Sequence, residues 1–63
     1  MIFRLYKTKG YKDYIGTVVG AKYELSDKGT LLITTSDDIT IALIECNEMI
    51  ETNENNTYMV LVK

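Results

Sequence analysis

Histidine, proline and tryptophan are absent from this 63-residue chain, and cysteine occurs once, at Cys46. Without histidine the commonest general acid–base group is missing, so catalysis has little to work with and no enzyme is expected. A structural zinc site is not expected either, because no histidine or second thiolate accompanies Cys46. The single cysteine rules out a disulfide within the chain, and beside Ile44 it reads as a small buried hydrophobe. No apolar run approaches the roughly 20 residues that span a bilayer, so no membrane contact is expected. Met1 leads straight into a strand-like alternation rather than a basic start and an apolar block. No signal peptide is therefore expected, and the cytoplasm is the expected compartment. Asn55-Asn56-Thr57 matches a glycosylation acceptor formally, which matters only in a secreted chain.

What is present describes one small globular domain, 46% hydrophobic and 25% charged. A chain this short buries only about 60% of the surface its unfolded form exposes. Disulfides, metals and self-association are the usual supports for such chains. Only the last is open here, beside good packing, and it raises the expectation of a homo-oligomer. Lysine outnumbers arginine six to one, and isoleucine, threonine, tyrosine and asparagine are frequent. This bias points to an AT-rich coding sequence, as in a low-GC bacterium or one of its phages.

β-Branched and aromatic residues dominate between closely spaced turn residues, the pattern of an all-β chain. In the clearest hairpin, Ser26-Asp27-Lys28-Gly29 joins Ala21–Leu25 to Thr30–Thr35. Ser26 suits the start of a type I turn, and Gly29 suits a left-handed fourth position. That register sets Leu25 opposite Leu31 and Tyr23 opposite Ile33, all facing inward. A second turn, Ser36-Asp37-Asp38, places Ile41 opposite Ile33 and Leu43 opposite Leu31 on the same face. At the N-terminus, a turn at Lys9-Gly10-Tyr11 pairs Leu5 with Ile15, Tyr6 with Tyr14 and Lys7 with Asp13. Gly16 and Gly20 interrupt what would otherwise be one strand from Asp13 to Leu25, and are read as a bulge or sharp bend.

Thr57–Val62 is apolar on both faces, so it is either a central strand or covered by a partner. Pairing it with Ile2–Tyr6 predicts a five- to six-stranded antiparallel, strongly bent sheet or a barrel of SH3-like or OB-like type. One segment has a competing reading: Glu45, Glu48, Glu51 and Glu54 recur every third residue, which fits a helical turn near 45–51. Asn53-Glu54-Asn55-Asn56 reads as a hairpin loop.

No cofactor or metal is expected. Asp37-Asp38 are neighbours in a tight turn rather than carboxylates converging across a cleft, and no calcium-loop spacing surrounds them. Ile15–Gly20 lacks the lysine and glycine density of a phosphate loop. Charge distribution carries more information. The net charge of −2 conceals a basic N-terminal third and an acidic middle. The basic third interleaves tyrosines: Tyr6, Lys7, Lys9, Tyr11, Lys12 and Tyr14 form the mixture that tracks phosphates and stacks on bases in single-stranded nucleic-acid binders. A solvated hairpin tip is the plainer account, and the pI of 4.9 argues against nucleic acid. The acidic set, with Glu45, Glu48, Glu51, Asp37 and Asp38 at its centre, suits a protein partner with a basic surface. The leading expectation is thus a non-enzymatic protein-interaction module. If phage-borne, it would inhibit or redirect a host protein such as a defence nuclease or a transcription factor. The alternative is a small-barrel nucleic-acid binder using Tyr6–Tyr14.

Overall fold

The computed structural model describes residues 1–7 and 13–63, and the described residues contain strands and turns but no helix. The strands are β1 (Ile2–Lys7), β2 (Asp13–Val19), β3 (Lys22–Leu25), β4 (Thr30–Thr34), β5 (Thr40–Glu51) and β6 (Thr57–Val62). They form one six-stranded sheet in the order β2-β1-β6-β5-β4-β3. The all-β expectation holds, and so does the adjacency of the first and last strands. Their direction differs from the antiparallel reading: β1 and β6 run parallel, with Ile2 beside Thr57 and Lys7 beside Val62.

The edge strands β2 and β3 are consecutive in the chain, so a single bend carries it from one edge of the sheet to the other. At that bend Gly20 donates its amide to the Met1 carbonyl at 3.0 Å, and Ala21 donates to Thr34 at 2.8 Å. The Met1 amino group returns a bond to the Gly20 carbonyl at 2.6 Å. The backbone thus leaves β1 and joins β4 within two residues. The sheet folds over on itself but does not close into a barrel. Gly20 is buried where this happens, and a Cβ there would run into Ile33 Cγ2 and lie 3.2 Å from the Thr34 carbonyl oxygen.

Among the described residues, three turns place a residue in the left-handed region: Gly29 (φ 84°), Asp38 (φ 62°) and Asn56 (φ 56°). Glycine, aspartate and asparagine tolerate that conformation best. The first two turns share one device. Ser26 accepts the Gly29 amide on its carbonyl and the Thr30 amide on its hydroxyl. Thr35 does the same for Asp38 and Ile39. The β3–β4 register follows the turn as expected, with Tyr23 opposite Ile33 and Leu25 opposite Leu31. Leu25, however, lies at the sheet edge and stays 43% exposed.

Beyond the second turn the expected register holds for one pair and then slips. Thr34 faces Thr40, but Ile33 faces Ala42 and Leu31 faces Ile44, because Ile41 is an extra residue in β5. A one-residue slip exchanges the faces of every later side chain. Ala42 and Ile44 therefore pack on the core, while Ile41 and Leu43 stand exposed instead of facing inward. The first hairpin slips in the same way. Lys7–Asp13 and Tyr6–Tyr14 pair as expected, but Leu5 faces Gly16 rather than Ile15. A third bulge, at Asn47, separates the Cys46–Val62 and Glu48–Leu61 pairs. β5 continues unbroken from Thr40 to Glu51, so 45–51 is strand and not a helical turn. Its bulges let it bend, pairing with β4 through its first half and with β6 through its second.

The core is small: among the described residues, Phe3, Leu31, Ile33, Cys46 and Val60 are the buried hydrophobic side chains. Phe3 stacks on Tyr58 at 5.3 Å and meets the edge of Tyr23 at 5.6 Å, while Tyr23 and Tyr58 lie 5.2 Å apart. A hydrogen bond donated by the Tyr58 hydroxyl to Tyr23, followed by burial, holds the Tyr58 phenol above the ordinary tyrosine value.

Two tests follow from this architecture. Gly20→Ala should lower stability by about 1–3 kcal/mol through overpacking. Gly29→Ala should lower it by more than the about 1–2 kcal/mol of its left-handed backbone, because a Cβ there would also lie 2.7 Å from the Cys46 carbonyl oxygen. Gly16→Ala, with open space around its Cβ position, should stay within about 0.5 kcal/mol. Urea midpoints at matched m-values read all three. Separately, the raised Tyr58 value means that the folded state prefers the neutral phenol. Its stabilisation is complete below the unfolded tyrosine value near 10 and is lost as pH rises through the folded value. Thermal midpoints should fall across that alkaline window, and Tyr58→Phe should flatten the fall.

Candidate functional site

The slip at Ile41 creates a surface on the half of the sheet built from β3, β4 and the start of β5. Leu32 faces Leu43 across β4 and β5, and Glu24 faces Leu32 from β3. Because Leu31 and Ile33 fill the core, Leu32 and its row point away from it. Leu43 is 69% exposed, the highest value among the large exposed hydrophobic residues described. Glu45 lies two residues along β5 on the same outer face, opposite Thr30. An apolar pair thus stands between two carboxylates.

Beside it lies a hollow of about 390 Å³ lined by Lys22, Tyr23, Glu24, Leu32, Thr34 and Thr40. At its end Lys22 forms an ion pair with Asp38. The Lys22 ammonium, by hydrogen bond and then by charge, holds the Asp38 carboxyl below its ordinary value. Asp38 is therefore already engaged, whereas Asp37 sits exposed in the same turn.

The glutamates expected to act together divide between faces. The bulge at Asn47 lets Glu45 and Glu48, three residues apart, share the outer face. Between Glu48 and Glu51 the alternation is regular, so Glu51 falls on the core side of the strand, at its exposed end opposite Tyr58. The acidic surface accordingly gathers Glu24, Glu45 and Glu48 rather than Glu45, Glu48 and Glu51. Glu54 is held at 3.4 Å by Arg4. Leu43 was expected in the core, and Leu32 and Glu24, though expected opposite each other on the outer face, were not singled out as contact residues. The available signal was that β5 is apolar in both parities, Ile41 and Leu43 against Ala42, Ile44 and Cys46, which a strand of constant parity does not require.

The basic hairpin is described only in part. Tyr6 and Tyr14 meet edge to face at 5.6 Å, Tyr14 also bonds Thr17, and Lys7 is exposed opposite Asp13. Lys9, Tyr11 and Lys12 lie outside the described residues. Cys46 is buried at 3% exposure, and burial raises its thiol above the ordinary value. Among the described residues, no cluster of three or more metal-ligating side chains occurs. No protein-family model, curated protein or solved structure matches the chain.

The Lys22–Asp38 pair gives a direct check on the geometry. By NMR, the Asp38 carboxyl should titrate below the usual aspartate value, and Lys22→Met should raise it toward that value. Molar salt should do the same, because both groups are exposed. No change in Lys22→Met would remove the ion pair from the description of this surface.

Proposed function

We propose that this protein is a non-catalytic interaction module that docks a protein partner on the outer face of β3, β4 and the first half of β5. The observation that carries this reading is the Leu32–Leu43 pair, half-buried Leu32 beside exposed Leu43, set between Glu24 and Glu45. An apolar centre supplies affinity by leaving water, and an acidic rim steers a cationic surface toward it. The fitting partner therefore presents an apolar side chain among lysines or arginines. A protein whose basic cleft binds nucleic acid has that chemistry. If the chain acts in the cytoplasm of a bacterial host, as its composition suggests for a phage-borne protein, nucleases and transcription factors are the first candidates.

Affinity capture from a bacterial lysate, with nuclease treatment, tests the reading when wild type and variants are compared side by side. Leu43→Ser should abolish capture of a cationic protein while leaving the fold intact. Glu24→Gln with Glu45→Gln should slow association at low salt and matter less at high salt. Equal capture by Leu43→Ser would move the contact elsewhere. Direct binding of single-stranded nucleic acid, steeply salt-dependent and weakened by Tyr14→Ala, would support the hairpin reading instead.

A further inference from the structure

The two edges of the sheet are built differently. β3 is four residues long, carries Lys22 and Glu24, and is pinned by the Lys22–Asp38 pair. Short, charged edge strands resist pairing with other chains. β2 is seven residues long and has its only charge at Asp13. Among the described residues it pairs with β1 alone. Ile15 is 52% and Val19 65% exposed on this strand.

We propose that the β2 edge is a self-association site, on which a second copy of this chain adds its own β2 in antiparallel sense about a twofold axis at Thr17. A twofold interface requires a patch complementary to itself, and the register of β2 supplies one. Gly16 and Val18 face the core side, opposite Leu5 and Phe3, whereas Thr17 and Val19 face outward, opposite Arg4 and Ile2. With Thr17 on the axis, inward residues meet inward ones: Gly16 of each copy lies beside Val18 of the other. Nothing stands within 4 Å of a Cβ position at Gly16, so that space is open to the incoming valine. Because Ile15 is the extra residue of β2, the regular ladder covers Gly16–Val18, and exposed Ile15 and Val19 come together at its ends; no like charges meet. A strand of opposite charge gains nothing from so uncharged an edge, which favours a second copy over a cationic peptide. The pairing uses no residue of the Leu32–Leu43 face.

Sedimentation velocity on the full chain, from about 10 µM to about 1 mM, spans the useful range of such an affinity. Wild type should shift toward a particle of twice the mass as concentration rises. Thr17→Lys and Thr17→Glu, each placing like charges on the axis, should each remain monomeric with wild-type circular dichroism. Mixed in equal amounts, the two variants should regain the dimer, since opposite charges then meet. Wild type monomeric throughout, single variants dimerising as well as wild type, or a mixture that fails to recover would each overturn the proposal. If both variants fail to fold, amide exchange of wild type decides. Protection at Thr17 and Val19, whose amides point to the open edge because Gly20 and then Val18 bond β1, should grow with concentration, and constant protection overturns the site. Leu43→Ser should dimerise like wild type, which separates this interface from the docking face.

Discussion

Phe3 occupies the place where the two halves of the folded-over sheet must meet, with Tyr58 beside it on β6 and Tyr23 reaching across from β3. With so few side chains fully buried, this aromatic group holds a large share of the contact between the halves, and the rest of the fold is arranged to deliver its members. The parallel β1–β6 ladder sets Phe3 against Tyr58. Tyr23 arrives only because the chain turns from β2 into β3 at Gly20, where no side chain fits. Tyr58 and Tyr23 keep their polar ends satisfied by bonding each other, which lets amphipathic rings serve in a core too small for a purely aliphatic one. Loop closure nevertheless has to span nearly the whole chain before Phe3 finds Tyr58, the situation in which folding is slow for the size.

The turns were legible because their chemistry is local. Ser26 and Gly29 announce a left-handed corner, and every pair adjoining a turn came out as the turn dictates. Bulges were not legible in the same way. Ile15, Ile41 and Asn47 each add one residue to one strand, and nothing in their own chemistry distinguishes them from regular strand residues. Their cause is global: a sheet of this size must bend sharply to cover its core, and the extra residues supply the bend. Gly16, read as a bulge or bend, was one position from the actual insertion at Ile15. The parallel sense of β1 and β6 was similarly out of reach, since hydrophobic alternation does not encode direction.

The candidate surface inherits that limit. Charge can be counted in a sequence, so the acidic middle of the chain was evident. Which carboxylates share a face depends on parity, and parity depends on the bulges. Leu43 shows the consequence most sharply: without Ile41 as an extra residue it would be core, and with it the residue becomes the centre of an exposed patch. The same insertion that bends the strand thus exposes its most apolar outward side chain, so architecture and candidate function rest on one backbone irregularity.

The parallel pairing of the first and last strands also decides how the molecule would respond to force. A pull on the two ends draws Ile2 away in one direction and Val62 in the other, along the strands rather than across them. All six register pairs between β1 and β6 then carry load together in shear. An antiparallel arrangement of the same strands would peel open one pair at a time. Tension applied through the termini therefore loads the fold along its strands, with the whole β1–β6 ladder resisting at once.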